Sequence, residues 1–207
     1  MVVYVHGVGV VVSADNKRIL GIDPGTRLCG WGIVDCSGGR IHHVDNGVIV
    51  LTKHGELHER LGHLLGQLDE IIKRYAPKAV AVEGIFQHRN ARSALILGHA
   101  RGVALAAASS HGLAVYEYAA RQVKKALTGT GTAHKEQVQM MVGMRMGLSD
   151  TPQEDAADAI AVAVCHAQHL SNGVKGPSIP NMPRRKGRKA SQAALAALAL
   201  EQKRSRP

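Results

Sequence analysis

Four carboxylates are the residues with the clearest chemical potential in this chain of 207 residues. Asp23 and Glu83 each follow a short apolar run, the pattern of a buried strand that ends at the functional edge of an α/β sheet. Asp155 and Asp158 are three residues apart, so a helix would present both on one face. Clustered carboxylates without histidine or cysteine partners suit hard cations such as Mg²⁺, which prefer oxygen donors.

Each of these acids also has an ordinary structural explanation. Asp155 and Asp158 fall near a predicted helix start, where carboxylates stabilise the helix dipole. Asp23 precedes Pro24 and Gly25, which together are a turn signal. The combination favours chemistry, because two ions held by carboxylates can activate water and stabilise a leaving oxygen in phosphodiester cleavage.

Charge is distributed unevenly along the chain. The 26 Lys and Arg residues against 16 Asp and Glu give a formal net charge of +10, which favours a polyanionic partner. Residues 171–207 contain nine basic residues and one acid, whereas residues 1–170 contain 17 and 15. We therefore predict an extension of unknown role over 1–16, a folded domain over 17–170 and a basic, disordered tail over 171–207 that adds salt-sensitive affinity.

Composition excludes several other classes of protein. Only six residues are aromatic, so stacking of many bases is excluded. Three cysteines without a CxxC pair favour a reduced, cytoplasmic setting. The twelve histidines form no four-ligand zinc pattern, and no apolar run reaches the length of about 18 residues that a membrane helix needs.

The elements that must position the acids follow from the periodicity of apolar residues. Strands are predicted over 18–22, 28–36, 41–51, 79–82 and 113–118, and helices over 57–75, 91–110, 135–146 and 152–169. The order βββαβαβαα predicts an α/β fold in which a mixed five-stranded sheet is flanked by helices.

Six motifs occur in order along residues 18–169: GIDPGT from Gly21, GWG from Gly30, Val82-Glu83 followed by Phe86, NARSALILGHARG from Asn90, YAARQVK from Tyr118 and DAADA from Asp155. In this order and spacing they resemble the RuvC family of Holliday-junction resolvases. The resemblance implies a ribonuclease H-like fold and a homodimer that nicks four-way junction DNA in pairs during recombination and repair. It also implies two Mg²⁺ ions per active site, for which Mn²⁺ can substitute, 5′-phosphate products, the partners RuvA and RuvB, and a nucleoid-associated location in a bacterial cytoplasm.

The resemblance assigns roles position by position. Four acids match the catalytic, metal-binding residues of the family, namely Asp23, Glu83, Asp155 and Asp158; the third of these varies between aspartate and histidine among relatives. The DNA-binding candidates are Phe86, which matches an aromatic residue near the junction centre, Lys124 and Lys135, which match basic residues near the scissile phosphate, and the further candidates Arg89 and Arg92.

Three other functions fit parts of the sequence. A nucleotide-binding ATPase of the actin and Hsp70 type carries a loop like GIDPGT, but it needs two such domains and this chain is too short for both. A related ribonuclease H-like nuclease acting on ribosomal RNA precursors would lack the Phe86 loop and the long helix that follows it. A non-catalytic DNA-binding module fits the basic tail, but four carboxylates facing DNA without metal would repel phosphate.

Overall fold

A computed structural model describes residues 2–5, 8–11, 17–53, 55–84, 91–173 and 176–177. The first two of these segments form β1 (Val2–Val5) and β2 (Val8–Val11), which pair as an antiparallel hairpin. Both are rich in valine, whose branched side chain favours strands. The hairpin lies inside the predicted extension, where the sequence analysis assigned no strand.

The centre of the protein is a mixed sheet of five strands. These are β3 (Lys17–Asp23), β4 (Leu28–Ser37), β5 (Arg40–Val50), β6 (Ala79–Glu83) and β7 (Ala114–Tyr118), in the spatial order β5-β4-β3-β6-β7. β3, β4 and β5 form an antiparallel meander, and β6 and β7 run parallel to β3. The predicted mixed five-stranded sheet is confirmed.

Helices cover both faces of this sheet. They are α1 (Leu57–Tyr75), α2 (Ala91–Ser110), α3 (Ala120–Thr128), α4 (Lys135–Met146) and α5 (Glu154–Ser171). One buried cluster joins the sheet to α1 and α2, and a second joins its opposite face to α3, α4 and α5. In the described part of the chain, no helix combines the length and the apolar character that a membrane span requires.

The short helix α3 was missed by the sequence analysis. It has nine residues, too few to show a helical period clearly, and it follows β7 almost at once. The side chain of Gln122 accepts a hydrogen bond from the backbone N–H of Ala119 (2.9 Å), and Gly129 ends the helix with φ at 80°. The bounds of the five sheet strands differ from the predicted ranges by one residue at one or both ends, and α5 spans Glu154–Ser171 rather than 152–169.

Candidate active site

Asp23 and Glu83 are the last residues of the adjacent parallel strands β3 and β6. The register pairs Ile22 with Val82, so the next residue on each strand is one of the two acids. Side chains alternate across a sheet, and Leu20, Ile22 and Val82 all belong to the cluster under α1 and α2. Asp23 and Glu83 therefore lie on the opposite face, which α5 covers.

Two glycines allow α5 to approach this face closely. A β-carbon at Gly21 would overlap the backbone carbonyl of Ala159, and one at Gly30 would overlap that of Asp155. Gly30 is also the strand partner of Asp23. Gly21 belongs to the motif GIDPGT and Gly30 to the motif GWG. Together they allow the first turns of α5, with Asp155 and Asp158, to reach the end of β3.

The start of α5 is fixed by Gln153, which the sequence analysis did not single out. Its side-chain oxygen accepts hydrogen bonds from the backbone N–H groups of Asp155 (2.9 Å) and Ala156 (3.3 Å). Its side-chain nitrogen donates to Oδ2 of Asp155 (2.7 Å). Gln153 therefore caps the helix and also orients one of the four acids; a polar residue directly before an acidic helix start was its only signal in the sequence.

Burial and neighbouring negative charge raise the pKa of three of the four carboxyl groups. Burial, together with the charges of Asp158, Glu83 and Asp155, raises the pKa of Asp23 to about 7. Burial and the charge of Asp158 also raise the pKa of Glu83. Burial likewise raises the pKa of Asp158. These carboxyl groups are held in a partly desolvated space with more negative charge than their surroundings neutralise.

Two lysines oppose this charge. Nζ of Lys135 lies 3.1 Å from Oδ2 of Asp158 and also pairs with Glu154. Although burial alone would lower the pKa of Lys135, the hydrogen bond to Glu154 and the charge of Asp158 raise it overall. Lys124 lies near enough to Glu83 to lower the pKa of that carboxyl against the effect of burial. The structure therefore places both predicted lysines beside the acids.

The four acids are neighbours but do not form a closed ligand cage. Within the described ranges, no three Asp, Glu, His or Cys side chains come together tightly enough to hold a metal ion as they stand. The ammonium group of Lys135 supplies the positive charge beside Asp158 that a metal ion would otherwise supply. The donors are nevertheless carboxylate oxygens, which suit hard divalent cations. The raised pKa values of Asp23, Glu83 and Asp158 are the effect that a bound cation would reverse. The residues thus fit a divalent metal that neutralises them on binding.

Part of the predicted site lies outside the described residues. Phe86 and Arg89 fall within 85–90, which the structure does not describe. Arg92 belongs to the first turn of α2, with its backbone alone described. Their predicted contacts with DNA therefore stay predictions.

The cysteines and the buried histidine have structural roles. Cys29, Cys36 and Cys165 are free thiols inside the core. His166 is fully buried, its Nδ1 lies 2.7 Å from the hydroxyl oxygen of Tyr118, and its ring stacks on Tyr116. Burial lowers the pKa of His166 to about 4, so the imidazole is neutral in the folded protein. His166 is therefore a core histidine.

A sheet in the order β5-β4-β3-β6-β7, with acids at the ends of β3 and β6 and an acidic helix laid across them, is the arrangement of the ribonuclease H-like class. The family model described as crossover junction endodeoxyribonuclease RuvC matches residues 19–166. The chain belongs to the RuvC family.

Individual relatives agree with this membership. The crossover junction endodeoxyribonuclease RuvC of Citrifermentans bemidjiense is 52% identical over 149 residues, which are 72% of this chain and 91% of that protein. The structure of Thermus thermophilus RuvC matches with a TM-score of 0.71 at 35% identity and covers 79% of this chain and 100% of that one. A second structure, of T. thermophilus RuvC in complex with Holliday junction substrate, matches with a TM-score of 0.74 at 35% identity, over 79% of this chain and 99% of that one. The predicted fold class is confirmed, and both ends of the chain lie outside the family match.

Proposed function

We propose that this protein is a structure-selective endonuclease that resolves four-way DNA junctions by paired, symmetric nicks during recombination and repair. Family membership over residues 19–166 supports the reaction class. The observation that carries the proposal is the cluster of Asp23, Glu83 and Asp158 at one edge of the sheet, where burial and the charge of Asp158 raise the pKa of both Asp23 and Glu83. Without bound cations, such a cluster of carboxylates would repel a phosphodiester. We therefore infer that the cluster holds divalent cations, which attract the phosphodiester.

The proposed cofactor is Mg²⁺, with two ions in each active site and Mn²⁺ able to substitute. Asp23, Glu83, Asp155 and Asp158 would hold the ions, because each offers carboxylate oxygens and three of them have pKa values raised by uncompensated charge or burial. When bound, the metal supplies neutralisation of the phosphate charge and activation of water for hydrolysis.

The remaining residues of the site bind and orient the DNA. Lys135 and Lys124 lie beside the acids and would contact the phosphates that flank the cleaved bond. Asp158 would be neutralised by a divalent cation that it helps to hold, which would leave the ammonium of Lys135 available to phosphate. Phe86 and Arg89, from the segment between β6 and α2, and Arg92, from the first turn of α2, are proposed to contact the junction.

Symmetric nicking requires two active sites related by a two-fold axis, so the proposed working form is a homodimer. Its partners are the junction and, by family, the branch-migration proteins RuvA and RuvB. We place the protein in the bacterial cytoplasm at the nucleoid, since the related proteins come from bacteria such as Geobacter sulfurreducens and DNA is the substrate. The domain of residues 17–170 carries catalysis, and the basic tail contributes affinity.

A cleavage assay with the full chain and Mg²⁺ tests this function. A synthetic four-way junction should be cut into nicked duplexes with ligatable 5′-phosphate ends, whereas linear duplex of the same sequence and a structured ribosomal RNA fragment should stay intact. Asp23→Asn should abolish cleavage and preserve junction binding, while Glu70→Gln, which removes an exposed carboxylate from α1, should cleave normally. Equal cutting of junction and duplex, preferred cutting of the RNA, or full activity of Asp23→Asn would each overturn the proposal.

A further inference from the structure

Arg101, in the middle of α2, is a buried guanidinium with two defined partners. Its exposed fraction is 8%, and among the residues that the structure describes it is the one charged side chain that is buried. A buried charge is costly unless it is paired and its donors are used. Nη2 of Arg101 lies 2.8 Å from Oε2 of Glu117, and Nη1 donates to the backbone carbonyl oxygen of Glu83 (2.8 Å).

These two contacts join three elements at the end of the sheet where the acids lie. Glu83 is the last residue of β6, Glu117 is the penultimate residue of β7, and Arg101 belongs to α2. Because Tyr118 packs in the α5 cluster, its strand neighbour Glu117 lies on the opposite face, which α2 covers. Arg101 therefore holds the backbone of Glu83 from the face opposite to the carboxylate cluster.

Gly84 completes this arrangement. Its backbone N–H donates to the carbonyl oxygen of Tyr118 (2.8 Å), which extends the pairing of β6 with β7 by one residue. A β-carbon at Gly84 would come within 2.9 Å of Oε1 of Glu117. The carboxylate of Glu117 is thus confined between Gly84 and Arg101, at the point where the chain leaves β6 toward Phe86.

We propose that Arg101 is a positioning residue for the cleavage reaction: with Glu117, it fixes the backbone at Glu83 and Gly84 and so aims the Glu83 carboxylate. The inference rests on the proposed function, in which Glu83 serves catalysis. Arg101 acts through the backbone carbonyl group of Glu83, to which its Nη1 donates.

The planar fork of arginine suits this task. It directs separate N–H groups at a carboxylate and at a carbonyl oxygen, whereas the single ammonium of lysine on a shorter stem cannot hold both in the same directions. Arg101→Lys should therefore restore part of what Arg101→Met removes. Glu117→Gln keeps a hydrogen-bond acceptor for Arg101 but loses the negative charge. It should therefore lower kcat less than Arg101→Met does.

The test measures kcat and KM for four-way junction cleavage by the full chain, together with junction binding in EDTA and thermal unfolding. Arg101→Met should lower kcat at least tenfold and leave both KM and the dissociation constant within threefold. Arg101→Lys and Glu117→Gln should lie between Arg101→Met and the unaltered protein. Backbone hydrogen exchange at Gly84 should accelerate in Arg101→Met, because the contacts that hold this residue are lost.

Arg145→Met is the matched control. Arg145 also donates to a backbone carbonyl, that of Ala126 (3.1 Å), but it lies in the last turn of α4, far along the helix from Lys135. Its loss should change kcat by less than twofold. If Arg101→Met does not fold, the test rests on Arg101→Lys and Glu117→Gln, whose kcat should be lower than that of the unaltered protein.

Three results separate failure of this inference from failure of the proposed function. Normal kcat in Arg101→Met, in an enzyme that Glu83→Gln inactivates, would overturn the positioning role alone. An equal fall of kcat in Arg101→Met and Arg145→Met would overturn it as well, since general destabilisation would then explain the loss. Full cleavage by Glu83→Gln would instead overturn the role of Glu83 in the proposed function.

Discussion

Gly30 on β4 lies directly against the backbone carbonyl of Asp155 at the start of α5, so close that a β-carbon on Gly30 would overlap the carbonyl oxygen. Gly30 is also paired in the sheet with Asp23. The absent side chain at Gly30 therefore sets the separation between two acids that are 132 positions apart in the chain. Close packing of a helix on a sheet, rather than any local sequence signal, assembles this half of the site.

Gly30→Ala should push the first turn of α5 away from Asp23. Because the overlap involves backbone atoms that cannot rotate away, we expect a loss of about 1–3 kcal/mol in the free energy of unfolding and a larger proportional loss of junction cleavage. Urea unfolding and the cleavage assay measure the two effects. Gly62→Ala is the control, since Gly62 is exposed on α1 with open space around its α-carbon, and it should keep full cleavage and gain stability. Wild-type cleavage by Gly30→Ala would show that the close approach is unnecessary.

Lys135→Met should impair cleavage more than binding. The substitution removes the cation that pairs with Asp158 and Glu154, and with it the ammonium proposed to contact phosphate. We expect a fall of about 10- to 100-fold in kcat with a much smaller change in the dissociation constant for the junction. Lys125→Met removes the same charge from the exposed surface of α3 and should behave like the unaltered protein. A similar loss in both variants would indicate a general electrostatic effect and argue against a specific role for Lys135.

Without metal, Asp23→Asn should stabilise the protein at alkaline pH. The pKa of Asp23 is 3.8 in its ordinary environment and about 7 in the fold. The folded state therefore binds the proton more tightly, and the stability that this group contributes is lost as the pH rises through about 7. Asparagine avoids that loss, so its advantage should grow from pH 4 upward and level off above pH 7, at about 4 kcal/mol for a rise of about three pKa units.

Denaturant unfolding in EDTA at pH 4.5 and pH 8 measures this difference. Glu70→Gln, at an exposed position on α1, should show no comparable dependence on pH. A constant difference between Asp23→Asn and the unaltered protein at both pH values would contradict the burial of an uncompensated carboxylate at Asp23.

Mg²⁺ should stabilise the unaltered protein and stabilise Asp23→Asn much less. A cation that binds the folded state alone raises its stability in proportion to the logarithm of the cation concentration above the dissociation constant, by about 2.7 kcal/mol at a hundredfold excess. Thermal unfolding across a Mg²⁺ titration at pH 8, with Ca²⁺ as a second cation, measures the effect without relying on activity. An equal rise in Tm for both proteins would place the bound cation away from Asp23.

Much of the fold could be predicted because its elements carry strong periodic signals. The bounds of α1, α2 and α4 agree with the predicted ranges 57–75, 91–110 and 135–146. Apolar runs likewise located the strands that end in Asp23 and Glu83. The nine residues of α3 and the hairpin of β1 and β2 escaped prediction, because short elements show too few repeats to stand out.

The supporting residues of the site could not be predicted in the same way. Gln153 and Arg101 act through hydrogen bonds whose geometry depends on how α5 and α2 pack on the sheet. Arg101 stands within one of the motifs that mark the family, yet nothing in the motif shows that its partner is the backbone of Glu83. The acids themselves were found because their residue type and position beside strands and helix starts carry chemical meaning.

The basic tail adjoins a short segment that packs on the sheet. The backbone N–H of Glu117 donates to the carbonyl oxygen of Pro177 (3.0 Å), and Gly176 is buried beside the Tyr118 hydroxyl and His166. Residues 176–177 thus belong with β7, the edge strand of the sheet, rather than with the tail. A truncation that tests the tail should therefore end at Pro177 and not at Leu170, so that this edge contact stays in place.

A chain ending at Pro177 loses eight basic residues and one acid. It should keep its preference for junctions over duplex and its cleavage rate at saturating DNA. The logarithm of its affinity should fall less steeply with the logarithm of salt concentration, by about 0.9 for each phosphate contact that is lost. A full-length variant with those eight residues replaced by glutamine should match the truncated chain, because the contribution is charge rather than shape. An unchanged salt dependence in both would mean that the tail lies away from DNA, and the positive charge that holds the junction would then have to come from the domain itself.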